Sequence, residues 1–278
     1  MVNITAADVN KLRQMTGAGM MDCKKALVES DGDFEKAIDY LRKHGQKVAA
    51  KRADREATQG RVVAAVSDKE DFGCIVMLGC ETDFVAESDD FKKVVDDLSC
   101  IALGNQPRSL EELLATSFEG KTVAETITEL TGKTGEKIEM TQYAFIDNKD
   151  AARVFAYNHH GNRLATLVGF SEASVKEEVG HNVAMQVAAM NPIATTANEF
   201  PEHVITHERA IAVEQTIAEG KPADKAEMIA EGRLKKFFKE NALDEQEYIL
   251  DSKISVGQYV KNNGTAQIIG FRRIKVGA

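Results

Sequence analysis

The sequence predicts an α+β fold made of an N-terminal three-helix bundle, two repeated α+β core subdomains and an inserted helical hairpin. Three observations support this prediction. Residues 1–46 hold three short segments whose apolar residues have helical spacing. A pattern of strand hairpin, helices and returning strand then occurs twice, in 60–149 and in 150–278. Within the second copy, 202–243 contains two long helical patterns that form a helical-hairpin (coiled-coil) insertion.

The predicted bundle begins at Thr5, which with Asp8 makes a capped helix start. Gly17 and Gly19 form a turn, a second helix starts at Asp22, and a third follows the break at 31–33. Together the three helices resemble the ubiquitin-associated domain. The residues expected to mark their apolar faces are Val9, Leu12, Cys23, Ala26, Leu27, Phe34, Ala37, Ile38 and Leu41.

Met20 and Met21 lie together at the turn of this bundle. One interpretation is that one Met fills the small core and the other has no role. The other is that they form an exposed and adaptable surface for a partner, as Met side chains often do. The polar and basic segment 47–59, which follows the bundle, is predicted to be a linker that is helical in part.

The two halves of the core match segment by segment. Strands at 61–65 and 153–157 each precede a polar turn and a second apolar strand, which ends at Gly79 or Gly169. Helices are predicted at 91–103 and 175–190, and a short helix with a returning strand closes each half. Each subdomain is therefore expected to have three strands with helices on one face.

The insertion is predicted to be an antiparallel pair of helices, 204–219 and 224–241, separated by Gly220-Lys221-Pro222. Val204, Ile211 and Ala218 lie about seven residues apart, which predicts a narrow seam between the helices. Such an arm could bind a partner or form a dimer contact; the alternative is a surface insertion without a role.

The segment 75–86 is the most informative part of the core. Four apolar residues predict a buried strand, and Gly79 is expected to loosen the backbone after it. Thr82, Asp83, Phe84 and Val85 then fall on a strand-to-helix connection, where binding residues are often displayed. The alternative is that Phe84 packs under its own loop and Asp83 caps the next helix.

The composition excludes several classes of function. A net charge of −9 argues against direct nucleic-acid binding as the main activity, because phosphate binding needs a basic surface. No segment has the length of a membrane span or the pattern of a signal peptide, so no membrane association is expected. The four cysteines form no C-x-x-C pair, which favours reduced and mostly buried thiols in a cytoplasmic protein.

Catalytic and cofactor motifs are not found. Gly120-Lys121-Thr122 and Gly132-Lys133-Thr134 both lack the earlier glycine of a P-loop, since Ala115 and Ile127 stand there. His159-His160 has no Cys or carboxylate at metal-ligand spacing. We therefore expect no enzyme, no cofactor and no metal site, and a chain that acts by binding another protein.

Four segments resemble the bacterial elongation factor Ts family. Residues 12–27 resemble its N-terminal signature and 80–86 its second signature, while 184–192 and 231–237 resemble later segments in the expected order. The resemblance implies a guanine nucleotide exchange factor that binds elongation factor Tu and releases its GDP. In this family the loop at Thr82, Asp83, Phe84 and Val85 inserts beside the partner's nucleotide site and disturbs Mg²⁺. Further partner contacts are implied at Leu12, Met20, Met21 and Gln186.

The resemblance also implies roles for Phe84 and Asp83, and the sequence departs from the family pattern at three positions. Phe84 would wedge between partner side chains while Asp83 makes polar contacts. This chain has Gly79 where the family usually has Asn, Glu87 where it has a basic or amide residue, and Gln186 where it commonly has His. A more flexible and more acidic loop is therefore expected.

Some alternatives stay open at this stage. The protein could work as one copy, as a homodimer or in a 2:2 complex with elongation factor Tu. A non-catalytic adaptor that uses the bundle as a binding module is the main rival function, and an acid-dependent hydrolase is a third class. The hydrolase would need a base or a nucleophile that the sequence does not offer.

Overall fold

The computed structural model describes residues 3–277, and its first three helices form the predicted bundle. These are α1 (Ala6–Thr16), α2 (Met20–Glu29) and α3 (Phe34–Lys51). Thr5 and Asp8 form a reciprocal capping box at the start of α1, as predicted, and Gly17 ends it with a φ of 67°. The buried core of the bundle consists of Val9, Leu12, Cys23, Ala26, Leu27 and Ala37.

The start of α2 differs from the prediction, and α3 extends into the segment predicted to be a partly helical linker. α2 begins at Met20 rather than at Asp22, so both methionines belong to its first turn. α3 continues to Lys51, so residues 47–51 of the predicted linker are helical. The second half of α3 packs against a helix of the core. This packing stabilises the extended helix, because tertiary contacts contribute more to helix stability than intrinsic propensity does.

The first core subdomain contains a three-stranded antiparallel sheet. Its strands are β1 (Gln59–Val66), β2 (Gly73–Cys80) and β5 (Glu139–Ile146), in the order β1-β2-β5. Between β2 and β5 lie α4 (Asp83–Ala86), α5 (Asp89–Asn105), α6 (Leu110–Ala115), a small ribbon of β3 (Ser117–Phe118) and β4 (Lys121–Thr122), and α7 (Val123–Thr134). The helices α5 and α7 cover one face of the sheet.

The second core subdomain repeats this arrangement. Strands β6 (Arg153–Asn158), β7 (Leu164–Phe170) and β10 (Ile268–Lys275) pair in the equivalent order β6-β7-β10. Helices α8 (Glu177–Met190) and α11 (Val256–Asn263) cover one face, and a ribbon of β8 (Glu247–Tyr248) and β9 (Asp251–Ser255) precedes α11. The fold class predicted from the sequence, a repeated α+β core, is confirmed.

The two sheets pack face to face, which the sequence did not predict. Their contact is apolar and includes Val62, Ile75, Met77, Val154 and Leu167. Because helices cover the other face of each sheet, β2 is buried along its whole length. A strand that is buried on both faces has a continuous apolar sequence, and this explains the run at 75–78.

The inserted hairpin is present as α9 (Glu202–Ala218) and α10 (Ala223–Asn241). Its seam differs from the prediction, since Ala218 is exposed and Val204 and Ile211 are only half-buried. The residues buried between the helices are spaced by four, and most of them are small, which allows the helices to approach closely. They are Ala212, Thr216, Ala226, Ala230 and Leu234. Phe200, Phe237 and Phe238 anchor the base of the hairpin.

Two further sequence predictions concern cysteines and membranes. Cys23, Cys74 and Cys80 are buried free thiols, as expected, while Cys100 is exposed. Within the part of the chain that the structure describes, no helix is both long and apolar enough to span a membrane.

Candidate partner-binding surface

The short helix α4 displays the side chains that the sequence singled out. Residues 82–86, which we call the Phe84 turn, follow β2 directly and form one helical turn. Phe84 is 86% exposed and Asp83 is also exposed, whereas Val85 is half-buried and packs on the first core. Among the described residues, Phe84 is the most exposed of the large apolar side chains, so its ring is available to a partner.

The local alternative for this turn is wrong. Phe84 does not pack under its own loop, and the helix caps are Thr82 and Ser88 rather than Asp83. The Ser88 Oγ accepts a hydrogen bond from the backbone N–H of Phe91 at 3.4 Å, so α5 begins independently of the turn. Asp83 and Phe84 are therefore free of a structural role that would require their side chains.

Thr82 supports the turn from inside. Its backbone N–H and its hydroxyl both donate to the Glu136 carboxylate, at 3.0 and 2.7 Å. Its hydroxyl also accepts from the N–H of Val85 at 3.4 Å, and the Cys80 thiol donates to its carbonyl at 3.1 Å. With these groups engaged internally, Thr82 builds the loop, and the side chains it presents are those of Asp83 and Phe84.

Glu81, the residue before Thr82, makes a second set of hydrogen bonds. Its carboxylate accepts from the backbone N–H of Lys137 at 2.7 Å and from the Arg52 guanidinium at 2.9 and 3.0 Å. The Lys137 N–H and then the Arg52 charge lower the pKa of this carboxyl below its ordinary value, because both favour the ionised form. The start of the Phe84 turn is thus tied to the end of α3.

The expected flexibility at Gly79 is not found. Gly79 is a regular residue of β2 that pairs with Gly60 on one side and Glu139 on the other. A Cβ at this position would lie 3.1 Å from both the Cβ and the carbonyl oxygen of Ala57, so the site is tight rather than loose. The glycine is explained by close packing.

The negative charge of Glu87, which was expected to make the loop more acidic, is partly balanced by a neighbouring lysine. The Glu87 carboxylate forms an ion pair with Lys92 at 2.7 Å, and this hydrogen bond lowers the pKa of Glu87. The charge that the turn presents beside Phe84 is therefore mainly that of Asp83.

The bundle presents a second apolar surface. Met20 and Met21 are both exposed, Met21 by 74%, and Met15 on α1 and Val28 on α2 are exposed as well. The core interpretation of one methionine is therefore wrong. Leu12 is fully buried in the bundle core, so it has no exposed surface with which to meet a partner, and its predicted contact is not supported.

Gln186 lies inside the second subdomain. It is fully buried on α8; its Nε2 donates to the carbonyl of Glu247 at 3.1 Å, and its Oε1 accepts from the N–H of Ile249 at 2.9 Å. It therefore holds the β8–β9 turn rather than a partner, and the predicted direct contact is not supported. The exposed apolar side chains of this region are Ile249 and Leu250.

Comparison with known proteins identifies the family. The family model described as elongation factor TS matches residues 81–278, and curated relatives named elongation factor Ts cover the rest. The proteins from Amoebophilus asiaticus and Flavobacterium psychrophilum are each 49% identical over 99–100% of both chains. The protein from Porphyromonas gingivalis is 44% identical over 99% of both.

The chain belongs to the elongation factor Ts family.

Membership in the elongation factor Ts family gives the chain a role in translation elongation, and the surface suits protein binding. Among the described residues no group of three or more His, Cys, Asp or Glu side chains could hold a metal ion. The exposed Phe84 and methionines offer apolar contact, while Asp83 offers a single carboxylate. Exposed apolar side chains beside a carboxylate are chemistry that suits contact with another protein.

Sequence reasoning missed three residues of this surface. Glu136 is a single acidic residue after a helix, and nothing local to it indicates a contact with Thr82. Ile249 and Leu250 form a short apolar pair between the last two helices, which is too short a pattern to indicate a surface. Glu136 is revealed by a contact between segments far apart in the chain, and Ile249 and Leu250 by their exposure in the folded structure.

Proposed function

We propose that this chain is a guanine nucleotide exchange factor that acts on elongation factor Tu in the cytoplasm. It binds the GDP-bound form of this GTPase, disturbs the Mg²⁺ site and lets GDP leave, so that GTP can bind. The observation that supports the proposal most directly is Phe84, which projects 86% exposed from a turn whose other residues are held in place. Membership in the elongation factor Ts family agrees with it.

The physical logic concerns how GDP is held. A GTPase binds the phosphates of GDP largely through backbone N–H groups, a lysine and Mg²⁺, which neutralise the phosphate charge. An apolar wedge inserted beside this site moves the side chains and waters that coordinate Mg²⁺. Once the metal is displaced, the phosphate charges are no longer neutralised and GDP dissociates faster. In this scheme Phe84 is the wedge and Asp83 makes the adjoining polar contact.

The wedge needs help from other contacts. Burying one Phe side chain yields about 2 kcal/mol, which is small beside the free energy that holds a tightly bound nucleotide. Met20 and Met21 on the bundle are well suited to supply more, because flexible apolar side chains adapt to a partner surface. Ile249 and Leu250 offer a third apolar contact on the second subdomain.

Exchange follows from reciprocal coupling. If binding of this factor weakens GDP binding, then nucleotide binding weakens the factor by the same free energy. Incoming GTP therefore expels the factor, and one molecule can act many times. The chain then catalyses exchange without forming or breaking a covalent bond.

The test is the release of fluorescent GDP from elongation factor Tu with the parent and with Phe84→Ala. We expect the parent to accelerate release strongly and Phe84→Ala to lower the second-order rate constant of catalysed release about 30-fold, the equivalent of about 2 kcal/mol. Met228→Ala is the matched control, since Met228 is an exposed apolar residue on the hairpin. A parent that leaves GDP release unchanged refutes the proposal.

The adaptor is the second candidate, and the exposed methionines of the bundle are the observation that favours it. It predicts that a Met20→Ser, Met21→Ser double variant loses partner binding while Phe84→Ala behaves like the parent. The exchange proposal predicts instead that Phe84→Ala lowers the maximal rate of GDP release. Sedimentation of the complex distinguishes action as one copy, as a homodimer and in a 2:2 complex.

A further inference from the structure

The orientation of Phe84 is not set by contacts of Phe84 itself. Its side chain is almost fully exposed, so few intramolecular contacts hold the ring. The helix that carries it, α4, has a single turn, and a helix of this length is not stable alone in water. Residues on either side of the turn must therefore fix the direction in which Phe84 points.

Two carboxylates hold the turn in place, because each accepts hydrogen bonds from the chain segment that carries the other. Glu136, after α7, accepts from the N–H and the hydroxyl of Thr82 at 3.0 and 2.7 Å. In the opposite direction Glu81, before the turn, accepts from the N–H of Lys137 at 2.7 Å. The connection from β2 to α4 is thereby locked to the connection from α7 to β5, and we call this pair the carboxylate clamp.

Within the clamp, Glu136 acts nearest to Phe84. Its carboxylate engages both donors of Thr82, and the Thr82 hydroxyl in turn accepts from the N–H of Val85. Hydrogen bonds to an ionised group are stronger than neutral ones, because the full charge attracts the donors. A chain of bonds thus runs from Glu136 through Thr82 into the turn.

We propose that Glu136 is a positioning residue for nucleotide exchange, acting through Thr82 to hold the Phe84 turn in its orientation before the partner binds. This inference rests on the proposed exchange function. A preorganised wedge meets the partner without first having to be ordered, so more of its contact energy is available to displace the nucleotide. If Glu136 is neutralised, the turn samples other orientations and Phe84 reaches the site less often.

Glu136→Gln tests this role in the full-length protein with catalysed release of fluorescent GDP. The amide has the same size, but it is uncharged and keeps only one acceptor oxygen for the two donors of Thr82. We expect the maximal rate of release to fall on the order of 10-fold, because a charged hydrogen bond is weakened. The half-saturating concentration should change little, since the apolar contacts of the bundle remain. Glu139→Gln is the matched control: it removes the same charge three residues away, from a side chain that pairs with the Lys137 ammonium at 3.0 Å and not with Thr82.

A double-variant comparison separates positioning from general destabilisation. If Glu136 acts through the wedge, then adding Glu136→Gln to Phe84→Ala has no further effect on release. If Glu136→Gln lowers release equally with and without Phe84, the residue acts elsewhere and the inference is overturned. Parent-like release by Glu136→Gln overturns it as well.

Two further readouts keep the outcome unambiguous. Thr82→Ser retains the hydroxyl and should keep the activity, whereas Thr82→Val should behave like Glu136→Gln; equal activity of both variants contradicts the inference. Hydrogen exchange of the Thr82 amide should speed up in Glu136→Gln, and unchanged protection also contradicts it. A parent that fails to accelerate GDP release refutes the proposed function and, with it, this role, while an active parent with a parent-like Glu136→Gln refutes the role of Glu136 alone.

Discussion

The distance between the bundle and the Phe84 turn depends on one close helix contact, and Gly132→Ala should disturb it. Where α3 crosses α7, Gly45 faces Gly132. A Cβ added at Gly132 would lie only 2.7 Å from the Cα of Gly45, whereas ordinary contacts of this kind begin at 3.4 Å. The two helix backbones would have to separate by about 0.7 Å.

The expected effect has two parts. Overpacking of a close contact costs about 1–3 kcal/mol, and the better helix propensity of Ala returns up to about 1 kcal/mol. The net loss in the free energy of unfolding is therefore about 0–3 kcal/mol. The displaced bundle also shifts Met20 and Met21 relative to Phe84, so we expect a several-fold higher half-saturating concentration in the GDP-release assay with a maximal rate near that of the parent.

Two other glycines provide matched controls. Gly104 lies in the last turn of α5, and a Cβ there meets nothing within 4 Å, so Gly104→Ala should be neutral or stabilising. Gly45→Ala places its Cβ at ordinary distances of 3.4 and 3.6 Å from its nearest neighbours and should be tolerated better than Gly132→Ala. Urea unfolding and GDP release measure both effects. If Gly132→Ala matches Gly104→Ala in both assays, the reasoning about the crossing is refuted.

Two further predictions concern stability. Gly180→Ala should destabilise the second subdomain by about 1–3 kcal/mol although Ala favours helices, because its Cβ would lie 2.2 Å from the Phe155 ring. Gly232→Ala on α10, where a Cβ meets open space, should stabilise the protein by up to about 1 kcal/mol. Urea unfolding of both variants measures the two opposite changes in stability. The lowered pKa of Glu81 contributes stability above the ordinary carboxyl value of 4.5, so the stability difference between the parent and Glu81→Gln should shrink as the pH falls below it; a constant difference from pH 7 to pH 4 would contradict this.

Local features of the fold could be predicted from the sequence because they depend on neighbouring residues. The capping box at Thr5 and Asp8 is one example, and the switch from a buried strand to a helix around Phe84 is another. Repeated patterns of this kind also revealed the two matching subdomains. The fold class followed from them without any knowledge of how the subdomains meet.

Long-range features could not be predicted in the same way. The apolar run at 75–78 is compatible with any strand that is buried on both faces, so it does not say that a second sheet provides one of the covers. The hairpin seam was missed because Ala and Thr are weak apolar signals, although small residues are what a close helix pair needs. The contact of Glu136 with Thr82 joins residues 54 positions apart.

The structure also changes how the bundle should be regarded. A module on a flexible linker would bind its partner independently of the core. Here α3 runs from the bundle into the core and packs on α7 where Gly45 faces Gly132. It ends beside Arg52, whose guanidinium binds the Glu81 carboxylate. The methionine surface and the Phe84 turn are thus held in one arrangement. If both surfaces meet one partner, as the exchange proposal requires, contact at the bundle directs Phe84 to a fixed place on that partner.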